Sequence, residues 1–114
     1  MRSTSQGQAD AQFRLGFMYY DGQGVPQNYA EAVNWYRMAA SQGQADAQLG
    51  LGIMYHNGQV VPQDYVQAHL WFNLAAAQGN EDARKNRDTT AGMMTPAQIV
   101  EAQRLAREWR PKKQ

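Results

Sequence analysis

Shifted against itself by 36 residues, the chain aligns residues 7–42 with residues 43–78 without a gap, and 21 of the 36 positions are identical. A unit that short cannot close a core of its own, so successive units must stack and bury their apolar faces on one another. A period in the thirties belongs to helical solenoids, which makes an all-α chain with one pair of helices per unit the expectation. The full length of 114 residues leaves room for a single domain.

The identities inside each unit have helical spacing. In the first half of unit one, Gln8, Ala11, Gln12, Leu15, Gly16 and Tyr19 fall at offsets of 0, 3, 4, 7, 8 and 11, one face of an α-helix. Unit two repeats the stripe as Ala47, Leu51, Gly52, Met54 and Tyr55. Asp21-Gly22 and Asn57-Gly58 supply a glycine that can end the helix in the left-handed conformation. After Val25-Pro26 and Val61-Pro62, a second helix starts at Asn28 or Asp64, each an N-cap acceptor followed three residues later by Glu31 or Gln67. Its repeated residues are Tyr29, Ala32, Trp35, Ala39 and Ala40, matched by Ala68, Trp71, Ala75 and Ala76, with the less identical Val66 beside them. Small residues alternating with a large ring suit two closely packed helices, so the rings of Trp35-Tyr36 and Trp71-Phe72 are expected in the core. Gln42-Gly43 and Gln78-Gly79 close the units.

This pattern resembles the Sel1-like repeat family, relatives of the tetratricopeptide repeats. The residues that carry the resemblance are Ala11, Leu15-Gly16, Met18-Tyr19, Gly22, Gly24-Val25, Asn28, Ala32, Trp35-Tyr36 and Ala39-Ala40. Unit two supplies Ala47, Leu51-Gly52, Met54-Tyr55, Gly58, Val61, Asp64, Ala68, Trp71-Phe72 and Ala75-Ala76, departing at Val60 where the family has glycine. The resemblance implies a short right-handed α/α superhelix of helix-turn-helix repeats: unit one at 7–42, unit two at 43–78, and a partial third unit with a C-terminal capping helix at 79–110. Residues 84–88 continue a third first-type helix that residues 89–92 end. Thr95, Pro96 and Gln98 then give an N-cap, a proline at N1 and an N3 glutamine. Ile99, Ala102, Leu105, Ala106 and Trp109 form the apolar stripe of that last helix, which ends at Pro111. The N-terminal end has no comparable cap, which leaves its outer face open to solvent, to a partner or to a further repeat upstream, with self-association through it as one expectation to test.

Composition removes several classes of function. No cysteine is present, which excludes disulfides and thiol catalysis and fits a reducing compartment or an oxidising one where packing supplies stability. No run approaches the ~18 apolar residues of a membrane span, and the opening MRSTSQ lacks the apolar core of a secretory signal. Met1 is equally consistent with a native start and with a processed fragment, so the address stays open between cytoplasm and periplasm or exterior. The net charge of +1 gives no global drive toward nucleic acid. Arg104, Arg107, Arg110, Lys112 and Lys113 gather at the C-terminal end, but a solvated face is the simpler reading and no nucleic-acid partner is expected.

Residues with chemistry do not converge. His56 and His69 are 13 apart with no cysteine beside them, so no metal is expected. Gly22-x-Gly24 has neither the third glycine nor the Lys-Ser/Thr of a phosphate loop. Glu81 and Asp82 suit the positive end of a helix better than acid–base work. Ser3, Ser5 and Ser41 have no His/Asp arrangement in sequence. No catalytic residue and no cofactor are expected.

The positions that differ between the units carry more information. On the first helix they are Phe13/Leu49, Arg14/Gly50, Phe17/Ile53, Tyr20/His56 and Asp21/Asn57, a second face beside the identical one. In the tetratricopeptide-like superhelix the first helices line the concave surface. The resemblance therefore implies that Phe13, Arg14, Phe17, Tyr20, Leu49, Ile53 and His56 line a groove, with simple packing between first helices as the competing reading. The function expected is a non-enzymatic interaction module that offers this groove to a protein or peptide. The alternatives are a small-molecule-binding protein or enzyme whose site the sequence does not reveal, and a weak nucleic-acid contact through the basic end.

Overall fold

The computed structural model describes residues 4–112, with side chains from residue 6 onward. Six helices follow one another: α1 (Thr4–Asp21), α2 (Tyr29–Ser41), α3 (Ala45–Asn57), α4 (Tyr65–Ala77), α5 (Glu81–Ala91) and α6 (Pro96–Glu108). There is no strand among the described residues. None of these helices is long and apolar enough to cross a membrane. Ser3 and Lys113, noted in the sequence, lie outside the described residues, as does the side chain of Ser5.

The helix ends are built by the residues the sequence marks. Asn28 accepts from the Glu31 amide at 3.1 Å, and Asp64 accepts from the Gln67 amide at 3.1 Å. At α6 both arms of the capping box close, with the Gln98 amide on Thr95 Oγ1 at 3.1 Å and the Thr95 amide on Gln98 Oε1 at 2.9 Å. Helices α2 and α4 end in the same six-residue motif. The amides of Gly43 and Gln44 return to Ala40 and Ala39, and those of Gly79 and Asn80 return to Ala76 and Ala75. That pairing needs a left-handed residue, and Gly43 and Gly79 stand at φ of 101° and 97°. Gly7 does not repeat the turn. The helix α1 runs back to Thr4, so the first copy of GQADAQ is helical throughout, while in the second copy Gln44 is an N-cap.

Packing follows the identical face. Ala32, Val33, Tyr36, Ala39 and Ala40 of α2 meet Ala47, Leu51 and Met54 of α3 and Val61 of the following turn in one buried cluster. The repeated glutamines lie within it. Gln48 is fully buried, donates to the Ala40 carbonyl at 3.2 Å and accepts from Gln78 at 3.0 Å. Gln42 donates to Gln12 in the equivalent place of unit one. A buried amide without partners destabilises a core, so these pairs hold each first helix to its own second helix.

Helix α6 lies against α4, with Ala102 fully buried and the Trp109 ring edge-on to Trp71 at a centroid distance of 6.2 Å. The chain then returns to unit one, where the Lys112 amide donates to the Ser41 carbonyl at 2.7 Å. The exposed side of α5 carries Arg84 bridged to Glu81 at 2.9 Å and to Asp88 at 3.9 Å. The last first-type helix thus ends the stack with a charged face.

Candidate interaction groove

Two depressions open beside the first helices, and the 36-residue shift carries one onto the other. The first, about 150 Å³, is lined by Phe17 and Tyr20 of α1, Tyr36 of α2, and Gly50 and Ile53 of α3. Adding 36 to each number gives Ile53, His56, Phe72, Asn86 and Thr89, all of which line the second, about 330 Å³, together with Asn57 and Thr90. Ile53 is the wall they share.

The second helices provide a ring to each depression. Tyr36 and Phe72 reach that far because glycine removes the side chain that would block them: a Cβ at Gly16 would sit 2.6 Å from the Tyr36 ring, and one at Gly52 would sit 2.6 Å from the Phe72 ring. Phe13 stacks on Tyr36 at a centroid distance of 5.6 Å. Burial raises the Tyr36 hydroxyl to about 12, with smaller contributions from Tyr20 and Asp21, so it stays protonated. The ring pair Tyr20–Tyr29, at 5.1 Å, recurs as His56–Tyr65 at 5.4 Å. Gln27 and Gln63 fasten the turns by donating to the carbonyls of Tyr20 and His56 at 3.0 and 2.9 Å.

His56 is held by α5. Its Nδ1 lies 3.0 Å from Thr90 Oγ1, and that hydroxyl donates to the Asn86 carbonyl at 2.9 Å. With its own proton on the Asn86 carbonyl, Thr90 accepts from Nδ1–H of His56.

The seven residues drawn from unit-to-unit differences separate into groups. Phe17, Tyr20, Ile53 and His56 line the depressions. Phe13 packs on the core cluster, and Leu49 is half-buried outside both depressions. Arg14 is exposed, at the position where Gly50 and Asn86 each face the preceding first helix. Sequence reasoning passed over Tyr36 and Phe72 because their stripe also predicts core, and both are buried. Asn86, Thr89 and Thr90 lie where the repeat has decayed; extending the shift by another 36 residues would have pointed to Asn86 and Thr89.

Other features fall elsewhere. A larger depression of about 420 Å³ is lined by Asp10, Gln42, Gly43, Gln44, Gln78 and Lys112 among others. Most of those are residues the units share for their own packing. His69 is buried on α4, where burial first and Arg87 second lower its pKa. No three His, Cys, Asp or Glu residues converge among the described residues. In the basic C-terminal cluster, Arg104 is paired with Glu101 at 2.8 Å and Glu108 at 2.9 Å.

The Sel1 repeat family matches residues 9–44 and 45–80. No curated protein matches the chain. Among solved structures, a protective antigen present in uropathogenic Escherichia coli strains, displaying an SLR fold, is similar at 37% identity with a TM-score of 0.85 over 92% of this chain. A Sel1 repeat protein from Oxalobacter formigenes is similar at 30% identity with a TM-score of 0.72 over 96% of it. The chain spans 23% and 47% of the lengths of those two proteins. Two tandem matches, the glycine-seated rings and the repeated turns agree: the chain belongs to the Sel1 repeat family.

Proposed function

We propose that the chain is a non-enzymatic interaction module that binds a protein or peptide in the groove along α1, α3 and α5. Sel1 repeats generally mediate protein interactions. The observation that carries the reading here is the pair of equivalent depressions whose walls are the residues free to differ between units. Phe17, lining the first of them, is 45% exposed, and an aromatic held open to solvent beside other rings is the composition of a contact site. The test is affinity capture from a lysate of the source organism, with the Phe17→Ala/Tyr20→Ala variant as control. A partner retained by the parent and lost from a variant with unchanged helical circular dichroism supports the groove. Equal capture by both overturns it, and a melting shift with one compound of a metabolite panel would favour a small-molecule site instead.

A second contact surface is proposed on the outer face of α1, through which two copies associate. Ala11 and Leu15 are exposed there, although their equivalents Ala47 and Leu51 are buried under α2. Light scattering that shows a monomer at high concentration rejects this surface.

A further inference from the structure

We infer that the outer face of α1 is the seat of a second-type helix, from a unit that precedes unit one in the same polypeptide and closes at Ser5-Gln6-Gly7. It is the face on which association of two copies is proposed above; a second copy is what remains to cover it when that helix is absent. Three observations name the helix as occupant. The first is the receiving stripe. Ala47, Leu51 and Met54 of α3 are 0%, 1% and 1% exposed, in one buried cluster with Ala32, Val33, Tyr36, Ala39 and Ala40 of α2. Unit one carries the same three residues at the same spacing, as Ala11, Leu15 and Met18 of α1. There Ala11 is exposed, Leu15 is 36% exposed and Met18 is half-buried. What an identical stripe takes is therefore visible on α3: a helix that brings an adjacent pair of small, fully buried residues to it.

The second is the junction. The eight residues SQGQADAQ stand at Ser5–Gln12 and again at Ser41–Gln48. In the second copy Ser41 is the last residue of α2, and Gly43 turns the chain at φ 101° into α3. In the first copy all eight residues are helical within α1. Ser5, Gln6 and Gly7 thus carry the closing sequence of a second-type helix. Alanine would suit the helical position of Gly7 better, whereas the left-handed turn needs glycine. Ser3 and Thr4 keep the register, as small residues 36 positions before Ala39 and Ala40. The third observation is the opposite end of the stack. Asp88 of α5 stands where Gly16 and Gly52 admit the rings of Tyr36 and Phe72. It is exposed and paired with Arg87 at 3.2 Å and Arg84 at 3.9 Å. With no ring seat, α5 closes the stack, while α1 keeps the receiving face of an inner unit.

The test places the sequence of Pro26–Ala40 directly before Ser5, in place of residues 1–4, so that the new junction reproduces residues 26–48. Leu15→Ala and Gly7→Ala are then compared by urea unfolding in this extended chain and in the parent, kept dilute enough to be monomeric by light scattering. In the parent, Leu15→Ala is expected to leave the midpoint almost unchanged. Gly7→Ala should raise it, since an added Cβ at Gly7 meets nothing within 4 Å. In the extended chain Leu15→Ala should lower the midpoint as far as Leu51→Ala does, and Gly7→Ala should now lower it as well. A control extension with Ala39→Glu and Ala40→Glu in the grafted copy should return both variants to their parental behaviour, because two charges cannot be buried against the stripe. Light scattering should find the extended chain monomeric at high concentration. Two outcomes overturn the inference: an extended chain that still pairs through α1, which leaves association of two copies standing, or one in which Leu15→Ala costs no more than in the parent. Loss of the helical signal on extension overturns it too, because residues 26–48 fold in the parent.

Discussion

Gly16 and Gly52 stand in the middle of helices, where glycine is about 1 kcal/mol less favourable than alanine. The rings of Tyr36 and Phe72 explain them, since each would meet an added Cβ at 2.6 Å. Gly52→Ala is expected to lower stability by about 1–3 kcal/mol in urea unfolding, overpacking outweighing the gain in helix propensity. Gly50→Ala, whose Cβ would meet Tyr36 at 3.1 Å, should cost less. A more stable Gly52→Ala would contradict the packing account. His69 has the opposite character, a polar group where unit one has Val33. It is buried, its Nδ1 has no partner, and burial and Arg87 lower its pKa. The folded state therefore resists a proton that the unfolded chain takes up near pH 6.5. Stability should be complete above about pH 6.5 and fall as pH drops toward the lowered folded value. His69→Val should flatten that slope in unfolding measured from pH 5 to 8; an unchanged slope would assign it to other groups. The glycines were legible as repeated residues, but their reason was not, because it depends on rings 20 positions away on another helix.

Among the elements, α6 shows how local signals and docking separate. Its start was legible in Thr95, Pro96 and Gln98, and its stripe in Ala102 and Trp109, all of which act as their types require. Its neighbour was not legible. An amphipathic helix after a first-type helix could cover α5 or α4, and it covers α4, where Trp71 offers a ring and α5 offers ion pairs. Trp109→Ala is expected to cost about 1–3 kcal/mol through lost ring contact and area, seen as a lower melting temperature. A melting temperature equal to the parent's would show that α6 is held by its other residues. The hexapeptide GQADAQ, present at residues 7–12 and 43–48, behaves similarly. GQADAQ is six helical residues in α1, whereas in the second copy the preceding α2 has to end and its Gly43 turns.

At the scale of the molecule, a residue's contribution depends on its place in the stack. Leu15 and Leu51 are the same residue at the same point of the unit, yet Leu15 is 36% exposed and Leu51 is 1% exposed. Leu51 packs under α2, and Leu15 lies on the outer face of α1. Leu51→Ala should therefore cost about 2–5 kcal/mol and Leu15→Ala no more than about 0.5 kcal/mol in chemical denaturation. Equal costs would mean that α1 is covered in solution, which is the outcome self-association through that face requires.

The sequence by itself determined that the chain is a helical repeat, where most helices begin and end, and which face of each unit packs, because capping, glycine turns and periodicity act within one unit. It also named four of the residues that line the depressions, through the freedom of those positions to differ. Only the tertiary structure decided that Tyr36 and Phe72 contribute a ring to each depression, that His56 is oriented by Thr90, and that α6 folds onto α4. Those outcomes depend on which surfaces meet between helices far apart in the chain, and that choice is made by packing complementarity rather than by any residue's own propensity.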